Sequence, residues 1–191
     1  MTIRPVALAL FAVLALPAQN LLVNPSFENH TKGEPDGWRW EGGAAKATVA
    51  VDTDVARSGK ASLRLSNPTP KAPHVFGTLT QTVAVAPNTT YSFSCHVRSA
   101  DAGTAWIGGG DKWQHRVTFP PRTGGEWHRV AGRFTTGPGE TSFTLRILSE
   151  SPTDALWIDD VQLEVGEEPT PFVYLAPLAP GEARLELTPF A

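Results

Sequence analysis

Apolar and polar residues alternate along most of the chain after residue 20, which is the pattern of β-strands with one buried and one solvent-facing side. Phe143, Leu145 and Ile147 fall on one side of their segment, and the stretch from Tyr91 to Val97 alternates in the same way. No segment keeps an apolar stripe at helical spacing for three turns. We therefore predict an all-β fold, an antiparallel β-sandwich. Strands are predicted at residues 21–23, 47–51, 61–66, 77–85, 90–98, 105–108, 114–119, 127–135, 141–148 and 155–165.

The organisation of the chain follows from its length and its breaks. A chain of 191 residues suits one well-buried domain, and its 17 prolines and 17 glycines suit many short strands joined by turns. The composition changes after Glu167, and residues 169–191 read as a proline-rich linker and tail with one short alternating piece at 183–187. That piece has several alternative roles. The first possibility is that it pairs back onto the sandwich, and the second is that it is the opening strand of a further unit. In the third it is donated to a neighbouring molecule's sheet in self-association, and in the fourth it belongs to a loosely ordered tail.

The first 18 residues resemble a secretory signal peptide. One arginine, Arg4, precedes a nearly continuous apolar run from residue 5 to residue 16, and small residues follow. Cleavage after Ala15 or after Ala18 fits the pattern equally well. A membrane anchor is the alternative, although the run is short for a transmembrane helix. With no second apolar span in the sequence, we expect a secreted, extracytoplasmic protein with no membrane span.

Charge and cysteine content exclude several classes of protein. The formal net charge is -3, which argues against general nucleic-acid binding and against an anionic-membrane role. The one cysteine, Cys95, cannot form an internal disulfide. It lies on the apolar side of its predicted strand and is expected to be a small buried residue rather than a nucleophile.

Two acidic segments near opposite ends of the chain suggest a shared cation. Residues 24–28 read Asn-Pro-Ser-Phe-Glu, and residues 156–163 place two aspartates inside an apolar strand. Burying a carboxylate is costly without a partner, and nothing cationic lies beside either segment in sequence. We expect the fold to bring these carboxylates together around a hard cation. The alternative is that Asp159 and Asp160 meet solvent or cap a turn.

An ordered series of short motifs carries a family resemblance. In chain order the motifs are residues 24–28, 36–38 (Asp-Gly-Trp), 58–65, 81–83, 87–91, 125–127 (Gly-Glu-Trp) and 157–161 (Trp-Ile-Asp-Asp-Val). In order and spacing the chain resembles carbohydrate-binding modules of the family 4/9/16/22 type over residues 20–168. The resemblance implies a jelly-roll sandwich of the galactose-binding-like fold.

The resemblance also implies a structural calcium ion. Carried over by position, Glu28 and Asp160 would supply carboxylates, and backbone carbonyls near Ser26, Lys60 and Asp160 would complete the shell. Asp159 is the alternative ligand, because a bulge would exchange the two aspartates. Such a site would tie the first part of the sandwich to its last strand.

Aromatic side chains are the expected contacts to a sugar. Trp106 and Trp113 flank a polar, glycine-rich segment at 108–112, and Trp40 precedes Glu41-Gly42-Gly43, so these three are predicted to be exposed for ligand binding. The alternative is that they only cover the edge of the sandwich. Trp127 and Trp157 are expected in the core, and Trp38 fits either environment.

Polar candidates follow from strand alternation. His96, Arg98 and Arg146 point away from the core in their strands and are expected either to line a groove, where they would bind hydroxyls or an acidic sugar, or to form a solvated face. The five histidines lack the close spacing of a zinc site.

These observations lead to a leading hypothesis and two alternatives. The leading one is a secreted, non-catalytic protein that binds polysaccharide or oligosaccharide. The first alternative is a structural cell-surface or extracellular-matrix subunit that assembles through its sandwich and its C-terminal strand. The second is a glycan-active hydrolase or lyase, although the sequence contains no nucleophile elbow, phosphate loop or zinc-protease motif.

Overall fold

The computed structural model describes residues 19–174 of the chain. Within that range the backbone is all-β, and no helix is long and apolar enough to cross a membrane. The strands are β1 (His30–Thr31), β2 (Glu34–Pro35), β3 (Arg39–Glu41), β4 (Thr48–Asp52), β5 (Ser62–Asn67), β6 (Gly77–Ala84), β7 (Thr90–Asp101), β8 (Ala105–Gly109), β9 (His115–Thr118), β10 (His128–Thr135), β11 (Ser142–Ser149) and β12 (Thr153–Val165).

Ten of the strands in the described range form two five-stranded antiparallel sheets. Sheet I has the order β10-β7-β12-β5-β4, and sheet II has the order β3-β6-β11-β8-β9. From β5 onward the chain crosses repeatedly between the sheets, as expected for a jelly roll. The predicted antiparallel β-sandwich is confirmed.

The core lies between the two sheets and is built from the alternating side chains. Phe93 of β7 and Ile158 of β12 enter it from sheet I, and Leu145 and Ile147 of β11 enter it from sheet II. Cys95 is fully buried among them, as expected, and burial raises the pKa of its thiol. Because most inward positions are apolar, a one-residue slip of any central strand would carry a whole set of side chains to the wrong face.

Several elements differ from the sequence prediction. Residues 21–23 form no strand, although the Leu21 N–H donates to the Leu163 carbonyl at 2.8 Å. The short strands β1, β2 and β3 were not predicted, because two or three residues cannot show a period. Trp127 and Trp157 are half-buried and do not belong to the core. In β12 the core positions are those of Leu156 and Ile158, which turns Trp157 to the outside.

The segment after β12 packs against the outer side of sheet I. Thr170 donates from its hydroxyl to Glu164 at 3.0 Å, and its carbonyl accepts from Gln162 and Arg129. Residues 169–170, predicted to be part of a linker, therefore bind polar side chains of β12 and β10. Residues 1–18 and 175–191, with the predicted signal peptide and tail strand, lie outside the described residues.

Candidate functional site

The outer surface of sheet II is formed by the residues that alternate with its core positions. Trp40, Leu79, Ile107, Leu145 and Ile147 face the core from this sheet, so the alternate positions face outward. We call this surface the sheet II face. Its outward residues are Arg39, Glu41, Thr78, Thr80, Thr82, Trp106, Gly108, Arg116, Thr118, Thr144, Arg146 and Leu148.

Trp106 lies on the sheet II face but is not exposed. Its side chain is 1% exposed and is absent from the core between the sheets. The indole N–H donates to Glu150 Oε1 at 2.9 Å, and the Arg116 guanidinium lies 5.6 Å from its ring centroid. The prediction of an exposed Trp106 is therefore wrong, because side chains from other segments cover the ring. Trp106 therefore supports the side chains of Trp113 and Arg116 from below and does not itself offer a surface to a ligand.

Trp113, which packs against Trp106, is half-exposed. Trp113 adopts a positive φ of 54° in a turn, and its backbone N–H donates to the Gly110 carbonyl at 3.0 Å. Its ring centroid lies 5.7 Å from that of Trp106 and 5.1 Å from that of Phe76, the latter in an edge-on contact. Two aromatic neighbours fix the orientation of the Trp113 ring, while part of the ring stays accessible.

A cavity of about 410 Å³ opens beside Trp113. The residues lining it are Lys71, Ala72, Pro73, His74, Val75, Phe76, Trp113 and Glu150. A site with mostly apolar walls and a few polar groups is typical of small-ligand binding. Residues 68–73 contain three prolines, and nothing in the local sequence indicates that this segment would lie beside Trp113.

Glu150 is the acidic group of this cavity. Partial burial raises its pKa, but hydrogen bonds from the Trp106 N–H and from Lys71 outweigh that effect and hold the pKa below its ordinary value. The Lys71 ammonium lies 3.2 Å from Glu150 Oε2. Glu150 is therefore a fixed hydrogen-bond acceptor.

Trp40 does not stand out from the surface as predicted. It is half-buried on the inward side of β3 and packs against the core. Its ring lies so close to Gly77 that a Cβ atom there would come within 2.7 Å of it. Trp40 therefore supports the start of β6 instead of offering a free face.

The predicted groove of His96, Arg98 and Arg146 does not form. His96 and Arg98 belong to β7 in sheet I, whereas Arg146 belongs to β11 in sheet II, so they face opposite sides of the molecule. His96 is 8% exposed, and burial, with the nearby Arg57 charge, lowers its pKa to about 4. The outward direction predicted for Arg146 agrees with the strand pairing, but His96 is enclosed by other segments.

Arg98 takes part in a stacked arrangement on the outer surface of sheet I. The Arg64 and Arg98 guanidinium groups lie 5.7 and 5.8 Å from the Trp157 ring centroid. The Trp157 N–H donates to Asp52 Oδ2 at 2.8 Å. These contacts hold Trp157 in place and give a structural reason for its half-buried position outside the core.

The predicted acidic groups meet at residues 57–61, the loop before β5. Glu28 Oε1 accepts from the backbone N–H groups of Lys60 and Ala61, at 2.9 and 3.1 Å. Asp159 Oδ2 accepts from the N–H groups of Arg57 and Ser58, at 2.8 and 3.2 Å. Carboxylates from the two ends of the sandwich thus bind one loop, which agrees with the expected convergence.

Asp160 has a cationic partner that the local sequence did not show. Its fully buried carboxylate contacts the Arg57 guanidinium and the Ser58 hydroxyl. It lies beside Asp159, whose side chain is also fully buried. Burial and the Asp160 charge raise the pKa of Asp159 to about 7. The Arg57 guanidinium therefore contacts one of two adjacent buried carboxylates, and the other, that of Asp159, accepts from backbone N–H groups.

The donor set of this cluster fits a hard cation in part. Within residues 19–174 no three acidic, histidine or cysteine side chains converge to hold a metal ion. Backbone carbonyls, such as those near Ser26, Lys60 and Asp160, would therefore have to supply much of a shell, which calcium accepts. Carboxylate and carbonyl oxygens are the donors that calcium prefers.

The fold and the open face together define a class of protein. An antiparallel jelly roll with a polar outer face and an aromatic-lined cavity has the features of a sugar-binding domain. The sequence profile of the carbohydrate binding domain family CBM 4/9 matches residues 19–155, and the chain belongs to this family. The resemblance inferred from the motifs is confirmed.

Solved structures share the fold at low sequence identity. The CBM22-1 xylan-binding domain of Paenibacillus barcinonensis Xyn10C has 20% identity and a TM-score of 0.55, covering 81% of this chain and 99% of that domain. TmCBM61, solved with β-1,4-galactotriose, has 20% identity and a TM-score of 0.57, covering 78% of this chain and 100% of that one.

A larger protein contains a similar unit. The enzymatically active domain of the bacteriophage CBA120 tailspike protein 4 has 20% identity and a TM-score of 0.57, with 76% of this chain covered. The present chain spans 21% of that tailspike chain. Comparison with curated protein sequences found no match.

Proposed function

We propose that this protein is a non-catalytic carbohydrate-binding domain that holds its ligand on the sheet II face, with Trp113 as the aromatic contact. The half-exposed Trp113 beside the 410 Å³ cavity carries the proposal. A pyranose ring offers an apolar C–H side and a rim of hydroxyls. Trp113 suits the first, and the threonine hydroxyls and Glu150 suit the second.

Replacing Trp113 by alanine tests this proposal. We expect glycan affinity to fall at least tenfold, because loss of a central aromatic contact typically costs about 2 kcal/mol or more. Affinity electrophoresis against a glycan panel, followed by calorimetry on the best ligand, measures the effect. Trp127→Ala is the matched control, since it removes another half-buried tryptophan, next to β10 of sheet I.

The affinities of the two tryptophan variants decide whether the sheet II face binds the glycan. The proposal requires Trp113→Ala to lose affinity while Trp127→Ala retains it. If no glycan of the panel binds, the proposed function is wrong. If a glycan binds and Trp113→Ala retains the affinity, the assignment of the sheet II face is wrong.

We propose a binding rather than a catalytic role because of where the carboxylates lie. Glu28, Asp159 and Asp160 are engaged with residues 57–61 beside sheet I, on the opposite side from the proposed ligand. Glu150 is the one carboxylate lining the cavity, and the Trp106 N–H and Lys71 hold it. A glycosidase mechanism needs a pair of carboxyl groups across the scissile bond.

We also propose that calcium binds at Glu28 and at Asp159, the alternative ligand, because Arg57 already engages the Asp160 carboxylate. Carbonyls near Ser26, Lys60 and Asp160 would complete the shell. Calcium at about 100 times its Kd would add ~2.7 kcal/mol to the free energy of unfolding, which corresponds to roughly 5–10 °C in Tm for a domain of this size. A chelator should lower Tm by that amount and added calcium should restore it, as followed by differential scanning fluorimetry.

Two comparisons make the calcium test specific. Glu28→Gln should abolish the response to calcium, whereas Glu167→Gln, which removes an exposed carboxylate paired with Arg133, should keep it. An unchanged Tm of the parent protein with chelator and with calcium would remove the site.

The proposed setting is extracytoplasmic. The apolar run at residues 5–16 supports export. Self-association through residues 183–187, and the structural-subunit role that it would serve, remain proposals carried by the sequence alone.

A further inference from the structure

Three arginines lie in one row across the sheet II face. The strand register pairs Arg39 with Thr80, Thr80 with Arg146, Arg146 with Gly108, and Gly108 with Arg116. Neighbouring strands lie ~4.8 Å apart, so consecutive arginines of this row are separated by roughly 10 Å and the row spans roughly 19 Å. We call these three residues the arginine row.

The positions between the arginines carry small residues. Thr80 presents a small hydroxyl side chain. Gly108 carries no side chain and has a φ of 154°, and a Cβ atom there would approach the His115 carbonyl oxygen to 1.9 Å. The close approach of the β9 backbone therefore requires glycine at this position, and Gly108 is buried between Arg146 and Arg116.

The charges of the row are weakly compensated. Arg39 pairs with Glu41 at 3.0 Å, but the Arg39 side chain is 80% exposed, and such a pair contributes little stability. Arg116 lies 3.9 Å from Glu150, which already binds Lys71 and the Trp106 N–H. Arg146 makes no ion pair within the described part of the chain. A chain with net charge -3 thus keeps a line of positive charge on its open face.

We propose that the arginine row binds the carboxylate groups of an acidic polysaccharide, one with uronic acid residues. This inference rests on the proposed function and names the class of glycan for the same face. A guanidinium group matches a planar carboxylate with two parallel hydrogen bonds, which a lysine cannot do. A regular row of such groups suits a repeating ligand, and the threonines between and beside them suit its hydroxyls.

Matched pairs of polysaccharides test the charge requirement directly. Homogalacturonan and alginate are compared with their esterified, uncharged forms, and glucuronoxylan with unsubstituted xylan, by affinity electrophoresis and calorimetry at low and high salt. We expect at least one acidic form to bind about tenfold or more tightly than its neutral counterpart, because a hydrogen bond to a charged group is worth about one factor of ten. High salt should reduce that advantage.

Arginine variants locate the effect on the row. Arg146→Gln should weaken binding of the acidic form about tenfold and leave the neutral form unchanged. Arg146→Lys keeps the charge without the fork and should lose part of the affinity. Arg133→Gln removes an exposed arginine from sheet I and is the matched control, with Tm recorded for every variant.

The binding results distinguish an error in the class of glycan from an error in the proposed function. Equal affinity for charged and neutral forms would overturn the acidic-ligand inference and leave carbohydrate binding intact. Binding of no polysaccharide at all would overturn the proposed function itself. Equal or tighter binding of single-stranded DNA would show that the row recognises any polyanion, and the assignment to uronic acids would then be wrong.

Discussion

Trp106→Ala should lower the free energy of unfolding by about 3–5 kcal/mol, the usual cost of removing a buried tryptophan. Trp106 is almost fully buried, and its ring supports both Trp113 and the Arg116 guanidinium. Its loss would also remove the N–H that Glu150 accepts. For a domain of this size the change corresponds to a fall in Tm of roughly 10 °C.

Urea denaturation of the parent protein and the variant gives this quantity. Trp113→Ala is the informative comparison, because Trp113 packs against the Trp106 ring but stays half-exposed, and its replacement should cost well under half as much stability. A Trp106→Ala protein as stable as the parent would show that this side chain is a surface residue after all. Trp106→Phe should recover part of the loss by refilling the volume.

The fold was largely predictable because alternation in long strands is a strong signal. The sides of β7 and β11 followed directly from their sequences, and burial of Cys95 followed from its place in β7. The prediction that Trp157 lies in the core was wrong. A tryptophan in an apolar strand suggested the core, but strict alternation with Leu156 and Ile158 places it outside, where arginines stack on it.

The candidate site was less predictable because it joins segments distant in sequence. Trp106 and Trp113 were correctly associated with one region, and their ring centroids lie 5.7 Å apart. Their exposure depends on Phe76 and Lys71, which belong to a loop about 40 residues away in sequence. A local pattern cannot show which strand face such a loop will cover.

The sheet to which each polar residue belongs could not be predicted from the sequence either. Alternation shows that Arg98 and Arg146 point away from the core, but it does not show that they belong to different sheets. The same limit hid the arginine row, since its members come from β3, β11 and β9. Only the register between strands places Arg39, Arg146 and Arg116 in line.

Arg57 is a further residue that the sequence did not single out. The absence of a cation next to Asp160 in sequence suggested that a metal ion alone would balance the charge. In the structure Arg57, more than 100 residues earlier, contacts that carboxylate. The Arg57 side chain is 35% exposed while Asp160 is fully buried, so the buried acid depends on a partner held at the surface.

Arg57→Met should therefore lower the free energy of unfolding by about 3 kcal/mol in calcium-free buffer, at the low end for a broken buried ion pair, because the arginine is partly solvated. Asp160 has a φ of 53°, which asparagine tolerates, so Asp160→Asn removes the charge with little backbone cost. The double variant should be more stable than Arg57→Met alone, since no unpaired carboxylate remains. Urea denaturation of all four proteins in a double-mutant cycle measures the coupling. Additive effects would show that Arg57 does not stabilise the buried acid, and the charge balance of the cluster would then have to come from another source.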